Sequence, residues 1–393
     1  MKIFYIYFHD SRFVPIHVNE ILNELQKRDH RIHVFTRVKD EVAKHILFDK
    51  RIKIHNLWVP EIRFVAELFF IVLLFPTLFI KALSVKPDIL YHRHSASSLA
   101  VIIVSMLIRI PCLLEINDIV IDKLKFVKTS ILKKIWIKFY HYIGIRLASK
   151  VLPVTEQIGL WIRDTYHVRQ DKIVVISNGV NIHRFKPEPK DEARQKYKIP
   201  VNAKVILSLG SLFPWAGIET LISAAPKIIE AYSDSLFLIG SGEEPYLSDI
   251  KNEVKKSGLQ NRFLFYGFIP WDEAAWFISL ADICVAPIIF KNTRSGCSSL
   301  RVYAYLACGK VVVGSNIHGL GDMLEQHKIG ASISMGDHLA LSKAVISLLS
   351  DNKQLKQMEK IARELSVENY SWEIIVNKLE KIFVKLGKPL RNQ

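Results

Sequence analysis

Short apolar runs alternate with segments of helical periodicity through the first half of the chain. Lys2–Phe8 is an apolar, aromatic and β-branched run of buried-strand length. A helical pattern over Ile16–Arg28 follows, and then a second strand near Arg31–Thr36. The same order recurs over residues 89–116, with the strand Ile89–Tyr91, a helix and the strand Cys112–Ile116. Strands that alternate with helices in this way predict parallel α/β units.

A second series of the same kind begins after a polar, proline-punctuated segment at residues 184–204. Its strands are expected at Val205–Leu209, Leu236–Ile239, Phe263–Tyr266, Ile283–Ala286 and Val311–Val313. The pattern therefore predicts an α/β protein with two doubly wound Rossmann-like domains, joined near residue 190. Ligands are expected at the carboxyl ends of the strands and in the cleft between the domains.

One apolar stretch, Leu68–Ile80, is long enough to raise the question of a membrane span. It has no charge, but Pro76 interrupts it and Glu67 and Lys81 flank it. Because spanning a bilayer takes about 20 apolar residues, we expect a buried or interface-dipping helix and no transmembrane segment. The N-terminus enters a strand directly, so no secretory signal is expected.

Composition and charge narrow the class of protein. Half of the residues are hydrophobic, which excludes global disorder. The four cysteines form no CxxC pair, so neither a disulfide scaffold nor a structural metal is expected. This cysteine usage suits a protein of the reducing cytoplasm. The net charge is +16, and residues 1–200 hold 33 Lys and Arg against 19 Asp and Glu. This imbalance indicates an anionic partner for the first half, although no recognised nucleic-acid module is visible and nucleic acid is not expected.

The segment Lys123–Lys150 concentrates this positive charge. It carries eight basic residues and no acidic one, interleaved with apolar side chains that include Trp136 and Phe139. Such a helix suits an anionic membrane surface. The alternative is a solvated helix whose apolar face packs on the sheet. Exposure of Trp136 and Phe139 separates the two interpretations.

Glycine and serine follow several strands of the second domain. Gly210 and Gly217 lie in the turn after one strand, Gly240 and Gly242 follow the next, and a Ser/Gly-rich loop over Thr293–Arg301 opens a helix. Any one of them is typical of an ordinary βα turn. As a set they indicate a nucleotide-diphosphate site, because glycine admits close backbone approach and helix N-termini favour phosphate.

The order of these motifs resembles that of the family 4 glycosyltransferases of the GT-B fold across essentially the whole chain. Asn178-Gly179-Val180 resembles their "NGVD" segment, and residues 239–243 resemble "VGDGP". Residues 266–270 resemble "GFVP", and residues 298–313 resemble "SPLKLFEYMACGKPVV". Tyr370-Ser-Trp372 resembles the start of the C-terminal helix that crosses back to the first domain. The resemblance implies an N-terminal acceptor and membrane-facing domain (1–190), a C-terminal nucleotide-sugar domain (191–370) and a terminal helix (371–393).

The chain departs from this family at the charged donor-site positions. Ser211 and Ala216 stand where the family has Arg and Lys, and Gly296 and Ala304 stand where it has two glutamates. Asn117 aligns with a histidine common in the acceptor-side loop, and residues 13–16 replace a Gly-Gly loop.

Two interpretations follow from these departures. The first is a working glycosyltransferase in which Arg301 or Arg294, with backbone amides at Gly296 and Ser298, meets the diphosphate. The second is a catalytically weakened GT-B protein that acts as a partner or scaffold in glycan assembly.

We favour the enzyme. It is expected to transfer a sugar from a nucleotide-sugar donor to a lipid-linked or polysaccharide acceptor, with retention implied by the resemblance. It is expected to need no metal cofactor and to be cytoplasmic and peripheral on the inner membrane face. Glu115 and Asp118 follow a predicted strand on the acceptor side, so either is a candidate general base; a helix cap or an ion pair is the alternative. The candidate donor-binding residues are Ser211, Trp215, Gly217, Gly240, Gly242, Phe268, Arg294, Gly296, Ser298, Ser299 and Arg301.

Overall fold

The computed structural model describes residues 1–8, 16–37, 48–60, 63–119, 130–242, 245–289 and 296–387. The chain divides into two compact units. Unit 1 comprises residues 1–177 with 372–393, and unit 2 comprises residues 178–371. Each unit contains a parallel six-stranded sheet with helices packed on it. The expected pair of doubly wound α/β domains is confirmed.

The sheet of unit 1 has the order β3-β2-β1-β4-β5-β6. Its strands are Lys2–Phe8 (β1), Arg31–Arg37 (β2), Lys53–Asn56 (β3), Ile89–Arg93 (β4), Cys112–Ile116 (β5) and Lys150–Pro153 (β6). Its helices are Ile16–Lys27 (α1), Arg63–Val85 (α2), Ser98–Ile108 (α3), Ile131–Leu147 (α4), Glu156–Tyr166 (α5) and, from the end of the chain, Trp372–Gly387, with a 3-10 turn at Gln170–Lys172.

The burial of the central strand β1 shows that helices cover both faces of this sheet. All five residues of Ile3–Tyr7 are buried, as is typical of a strand between two helical layers. Parallel strands need right-handed crossovers, so α2, α3 and α4, which lead toward β4, β5 and β6, share one layer. The helix Trp372–Gly387 packs on α1, where Arg28 donates to Glu380 at 2.5 Å.

Unit 2 repeats the plan with the order β12-β11-β10-β7-β8-β9. Its strands are Lys204–Leu209 (β7), Ser235–Gly240 (β8), Phe263–Gly267 (β9), Ile283–Ala286 (β10), Val312–Ser315 (β11) and Gly330–Ile333 (β12). Its helices are Lys190–Lys196 (α6), Ile218–Ala231 (α7), Pro245–Lys256 (α8), Ala274–Ser279 (α9), Leu300–Ala307 (α10), Gly321–Gln326 (α11), His338–Ser350 (α12) and Asn352–Asn369 (α13), with a 3-10 turn at Pro214–Ala216; Trp372–Gly387 is α14.

The division between the units comes earlier in the chain than residue 190. Val180 donates its backbone N–H to the carbonyl of Tyr370 at 2.8 Å. Phe185 is buried in the unit 2 core, and Arg363 donates to the Phe185 carbonyl at 2.8 Å. These contacts fix residues 178–190 on unit 2, so the polar segment at residues 184–204 lies within that unit.

Helix α2 is longer than the thirteen-residue stretch expected from the sequence. It runs through Pro76 over 23 residues, since a proline costs one backbone hydrogen bond without ending a helix that packing supports. By length and composition alone, Ala66–Val85 could cross a membrane, with a mean hydropathy of 2.4. In this structure it lies on the sheet, with Phe70, Leu74 and Leu78 fully buried.

Candidate functional site

The turn after β7 lies at the centre of the carboxyl edge of the unit 2 sheet. Strand β7 pairs with β10 on one side and β8 on the other, and the strand order reverses between β7 and β10. Ligands of doubly wound sheets bind outside this edge at the reversal. The turn begins with Gly210, at a φ of 121°, and continues with the exposed residue Ser211.

Arg301, in the first turn of α10, lies across this turn. Its Nη2 donates to the Ser211 carbonyl at 3.2 Å. A Cβ on Gly210 would come within 3.2 Å of three guanidinium atoms, so glycine leaves the room that the arginine occupies. A guanidinium has five N–H donors, and arginine binds phosphate through two of them at once. The structure thus places a cation at the turn where the sequence predicts the diphosphate.

Tyr305 fixes the position of Arg301. The two residues are four apart on α10 and therefore lie on the same face of the helix. The Tyr305 hydroxyl accepts from the Leu209 N–H at 2.7 Å and donates to the Leu209 carbonyl at 3.2 Å. Because Tyr305 is fully buried, it anchors α10 to the end of β7 and holds the arginine one helical turn above.

The serine loop before α10 is tied to the start of unit 2. Ser298 Oγ accepts from the Asn178 N–H at 3.0 Å, and its carbonyl accepts from Asn178 Nδ2 at 2.9 Å. Ser299 caps α10 without a side-chain hydrogen bond to the helix, and Gly296 has a φ of 61°. Arg294 lies outside the described residues.

Exposed aromatic rings lie at the same edge of the sheet. Phe213 and Trp215 stack with ring centroids 4.4 Å apart and planes at 15°, and each is about half exposed. Phe268 follows β9 and is 66% exposed. Aromatic rings offer apolar contact to a base or a sugar, the role predicted for Trp215.

The glycines that we predicted to bind the donor differ in what surrounds them. A Cβ on Gly217, which has a φ of 70°, would lie 1.8 Å from the Pro287 carbonyl oxygen, so the turn before α7 requires glycine. A Cβ on Gly240 would meet the Leu209 side chain at 2.7 Å. Gly240 therefore serves packing, whereas Gly242 faces open space within 4 Å.

Small residues occupy the positions where the resembled family carries charge. Ala216 and Ala304 are buried, with relative exposures of 2% and 7%. Ser211 is exposed and Gly296 is half-buried. At these four positions no side chain supplies charge, and the cation at the turn comes instead from Arg301 on α10.

A buried carboxylate lies at the carboxyl edge of the unit 1 sheet. Glu115, at the end of β5, is 4% exposed. Its Oε2 accepts from the Tyr91 hydroxyl at 2.6 Å, and its Oε1 accepts from Asn117 Nδ2 at 2.6 Å and lies 2.9 Å from His17 Nε2. Buried charge is tolerated only when it is paired in this way.

His17 and Arg93 complete this cluster. Arg93 Nη1 lies 3.0 Å from Nε2 and 3.2 Å from Nδ1 of the His17 ring. Burial and then the Arg93 charge lower the pKa of His17, although Glu115 opposes them. The ring is therefore neutral near pH 7, and a proton on Nε2 satisfies Glu115.

The cluster bears on the predicted general bases. Burial would raise the pKa of Glu115, but the interactions with His17 and Arg93 and the bond from Tyr91 outweigh it and hold this pKa below its ordinary value. Both carboxylate oxygens already accept hydrogen bonds, so Glu115 suits holding its neighbours in position better than taking a proton. Asp118 is half-buried after β5, and its role stays a prediction.

Two histidines contact Ser98 beside this cluster, and a third, His141, packs on one of them. The Ser98 hydroxyl lies 3.0 Å from His92 Nε2 and 2.9 Å from His94 Nδ1. The rings of His94 and His141 meet edge to face, with centroids 4.1 Å apart. Both nitrogens of His141 are buried without a hydrogen-bond partner in the described structure. Among the described residues, no three His, Cys, Asp or Glu side chains are grouped to hold a metal ion.

The basic segment Lys123–Lys150 is described in part. Residues 123–129 lie outside the described residues, and α4 covers most of the remainder. Trp136 and Phe139 stack on each other and are 39% and 49% exposed.

Two family models match the chain, one over each half. The model of Glycosyltransferase Family 4 matches residues 14–184, and the model of Glycosyl transferases group 1 matches residues 189–365. Together they account for most of the sequence. With the two doubly wound sheets, they define a GT-B glycosyltransferase. The chain belongs to the family 4 glycosyltransferases, a family of enzymes.

Individual relatives are distant. The chain is similar to an uncharacterized glycosyltransferase of Methanocaldococcus jannaschii, with 26% identity over 62% of the chain and 61% of the relative. It is also similar to the GDP-mannose-dependent alpha-(1-6)-phosphatidylinositol monomannoside mannosyltransferase of Mycolicibacterium smegmatis, with 27% identity over 49% and 51%. The chain thus spans between half and two thirds of the length of these relatives.

A solved structure supports the fold over the full length. Anabaena HepE in complex with UDP matches with a TM-score of 0.78 and 17% identity, over 98% of this chain and all of that one. At this identity the likeness establishes the fold alone.

Proposed function

We propose that the protein transfers a sugar from a nucleotide-sugar donor to a lipid-linked or polysaccharide acceptor at the cytoplasmic face of a membrane, with retention of configuration. The observation that carries the proposal is the position of Arg301, across Gly210 and against the Ser211 carbonyl at the strand-order reversal of unit 2. Two similar proteins support the substrate classes: one relative is named for GDP-mannose and a phosphatidylinositol monomannoside acceptor, and HepE was solved in complex with UDP.

The proposed chemistry rests on the leaving group. Cleaving the sugar–phosphate bond places charge on the departing diphosphate, and a fixed guanidinium stabilises that charge as it develops. The backbone N–H groups at the start of α10, beside Ser299, add the favourable end of a helix dipole. We propose no metal cofactor, because Arg301 and these amides supply the positive charge.

On the acceptor side, we propose that Glu115 and the residues bonded to it position the acceptor and do not themselves take its proton. Glu115 orients His17, and Arg93 adds a positive charge at the same place. A cation beside an ordered imidazole suits an acceptor that carries phosphate, which a lipid-linked glycan supplies. Asp118 is the proposed general base in this arrangement.

The replacement of four charged positions favours a second candidate, a non-catalytic partner protein in glycan assembly. Loss of charge at Ser211, Ala216, Gly296 and Ala304 removes groups that the resembled family uses.

A turnover assay separates the two candidates. The purified protein is incubated with UDP-, GDP- and ADP-sugars and a membrane lipid extract, and release of the nucleoside diphosphate is measured. We expect turnover with one donor class and a loss of about tenfold to a hundredfold in kcat/KM for Arg301→Ala, the range for a charge-assisted hydrogen bond. Arg262→Ala is the matched control, because Arg262 is another half-buried arginine, at the amino end of β9. No turnover with any donor, by a folded protein, would favour the partner protein.

A further inference from the structure

Exposed apolar side chains are concentrated on three helices of unit 1. More than half of the large exposed hydrophobic side chains in the described part of the chain lie on α2, α3 and α4. They are Leu68, Phe69, Val72, Leu73, Ile80 and Leu83 on α2, Ile103, Met106 and Leu107 on α3, and Ile131, Leu132, Ile135, Trp136, Phe139, Tyr142 and Leu147 on α4.

This exposure is opposite to what a solvated helix shows. Helix α2 already buries one face on the sheet, through Ala66, Phe70, Leu74, Leu78 and Ala82 at four-residue spacing. The outer face of such a helix is normally polar. Large contiguous apolar patches are rare on monomeric soluble proteins and mark interaction sites.

The three helices form one surface. Helix α3 packs between α2 and α4. A small apolar cluster joins all three, in which Ile137 and Tyr140 of α4 pack with Ile71 of α2 and Leu99 of α3. Their outer sides therefore make a single layer, here called the apolar helical face.

The charges on this layer are almost entirely positive. Lys81 lies on α2, and Lys133, Lys134 and Lys138 lie on the first turns of α4. The one acidic residue in the three helices is Glu67, which is half-buried and accepts the Ala96 N–H at 3.3 Å. Lysines beside apolar and aromatic side chains match the headgroups and acyl chains of an anionic bilayer.

We propose that the apolar helical face inserts into an anionic lipid bilayer, with α2, α3 and α4 lying in the plane of the membrane. The inference rests on the membrane location in the proposed function and deepens it, because it makes apolar insertion of three helices, rather than charge on α4 alone, the main source of binding. The buried inner face of α2 keeps that helix on the sheet, so it docks without crossing.

Vesicle sedimentation of the full chain tests this proposal. The vesicles are pure phosphatidylcholine or equal parts phosphatidylcholine and phosphatidylglycerol, at low and high salt. The test variant is Met106→Ser with Leu107→Ser, which are 62% and 59% exposed and lie on the uncharged helix α3. The matched control is Met335→Ser with Leu339→Ser, an exposed pair on unit 2.

We expect wild-type binding to mixed vesicles to persist at high salt, because apolar insertion is not screened. The test variant should partition about tenfold more weakly or worse, and the control should match wild type. Lys133→Glu with Lys134→Glu should weaken binding at low salt only. Thermal unfolding equal to wild type shows that each variant is folded.

Two results would overturn the proposal. Binding that disappears at high salt and ignores the α3 pair would leave charge as the sole anchor. Dimers in vesicle-free buffer that the α3 pair converts to monomers, with no vesicle binding, would make the face a contact between copies. The outcome is independent of catalysis: vesicle binding without nucleotide-sugar turnover would keep this inference and contradict the proposed function.

Discussion

The buried histidines of unit 1 make its stability depend on pH. Burial lowers the pKa of His141 and of His92 to about 4 in the folded protein, with the Ile6 carbonyl and Glu115 opposing the shift at His92. Unfolded histidine has a pKa of about 6.5. Below about pH 6.5 the unfolded state therefore binds protons that the folded state does not. The free energy of unfolding is highest above this pH and falls progressively as the pH drops toward 4.

The magnitude follows from proton linkage. Between pH 7.5 and 5, a group with these two pKa values costs the folded state about 2 kcal/mol. His141 is the better test, because it is fully buried and neither ring nitrogen has a hydrogen-bond partner in the described structure. His141→Leu has similar volume and leaves no partner unsatisfied, so it removes the proton-linked cost without creating a cavity.

Urea unfolding of the wild type and of His141→Leu at pH 7.5 and pH 5 measures this difference. We expect the free energy of unfolding of unit 1 to fall by about 2 kcal/mol less for the variant than for the wild type over this range. The comparison isolates His141 from His17 and His33, whose pKa values are also lowered by burial. An identical pH dependence in the two proteins would refute the reasoning.

Two further substitutions test the geometry of the sites. Gly217→Ala should destabilise unit 2 severely, because its Cβ would lie 1.8 Å from the Pro287 oxygen at positive φ, whereas Gly242→Ala, with open space around it, should leave the urea midpoint nearly unchanged; equal midpoints would contradict this account of the turn. Tyr91→Phe removes the 2.6 Å hydrogen bond to Glu115 and should cost unit 1 about 2 kcal/mol of unfolding free energy at pH 7. Unchanged stability of that variant would mean that water replaces the hydroxyl.

The strand pattern and the carboxyl-edge motifs could be predicted because both are local in sequence. The apolar run Ile3–Tyr7 and the glycine turns after β7 and β8 can each be recognised from a few adjacent residues. Short edge strands, β3 and β12 among them, were not predicted. Each has only four residues, and its pairing is decided by a neighbouring strand rather than by its own pattern.

The side-chain clusters depended on contacts between distant residues. His17 meets Glu115 across 98 positions of sequence, and no spacing rule links them. The available signal was the position of His17 at the start of α1, directly after the segment that replaces a Gly-Gly loop. Tyr305 could not be singled out from the sequence either, because it is one of several apolar positions of α10. In the structure it fixes Arg301 over Gly210.

Calorimetric titration with UDP, GDP, ADP and their sugar conjugates tests most directly whether the altered donor site works. We predict that wild-type protein binds one nucleotide class at micromolar concentration and that Arg301→Ala weakens that binding about tenfold or more. Arg262→Ala should bind as the wild type does. No binding to any member of the panel by folded wild-type protein, or equal binding by Arg301→Ala, would contradict the donor site proposed at the carboxyl end of β7.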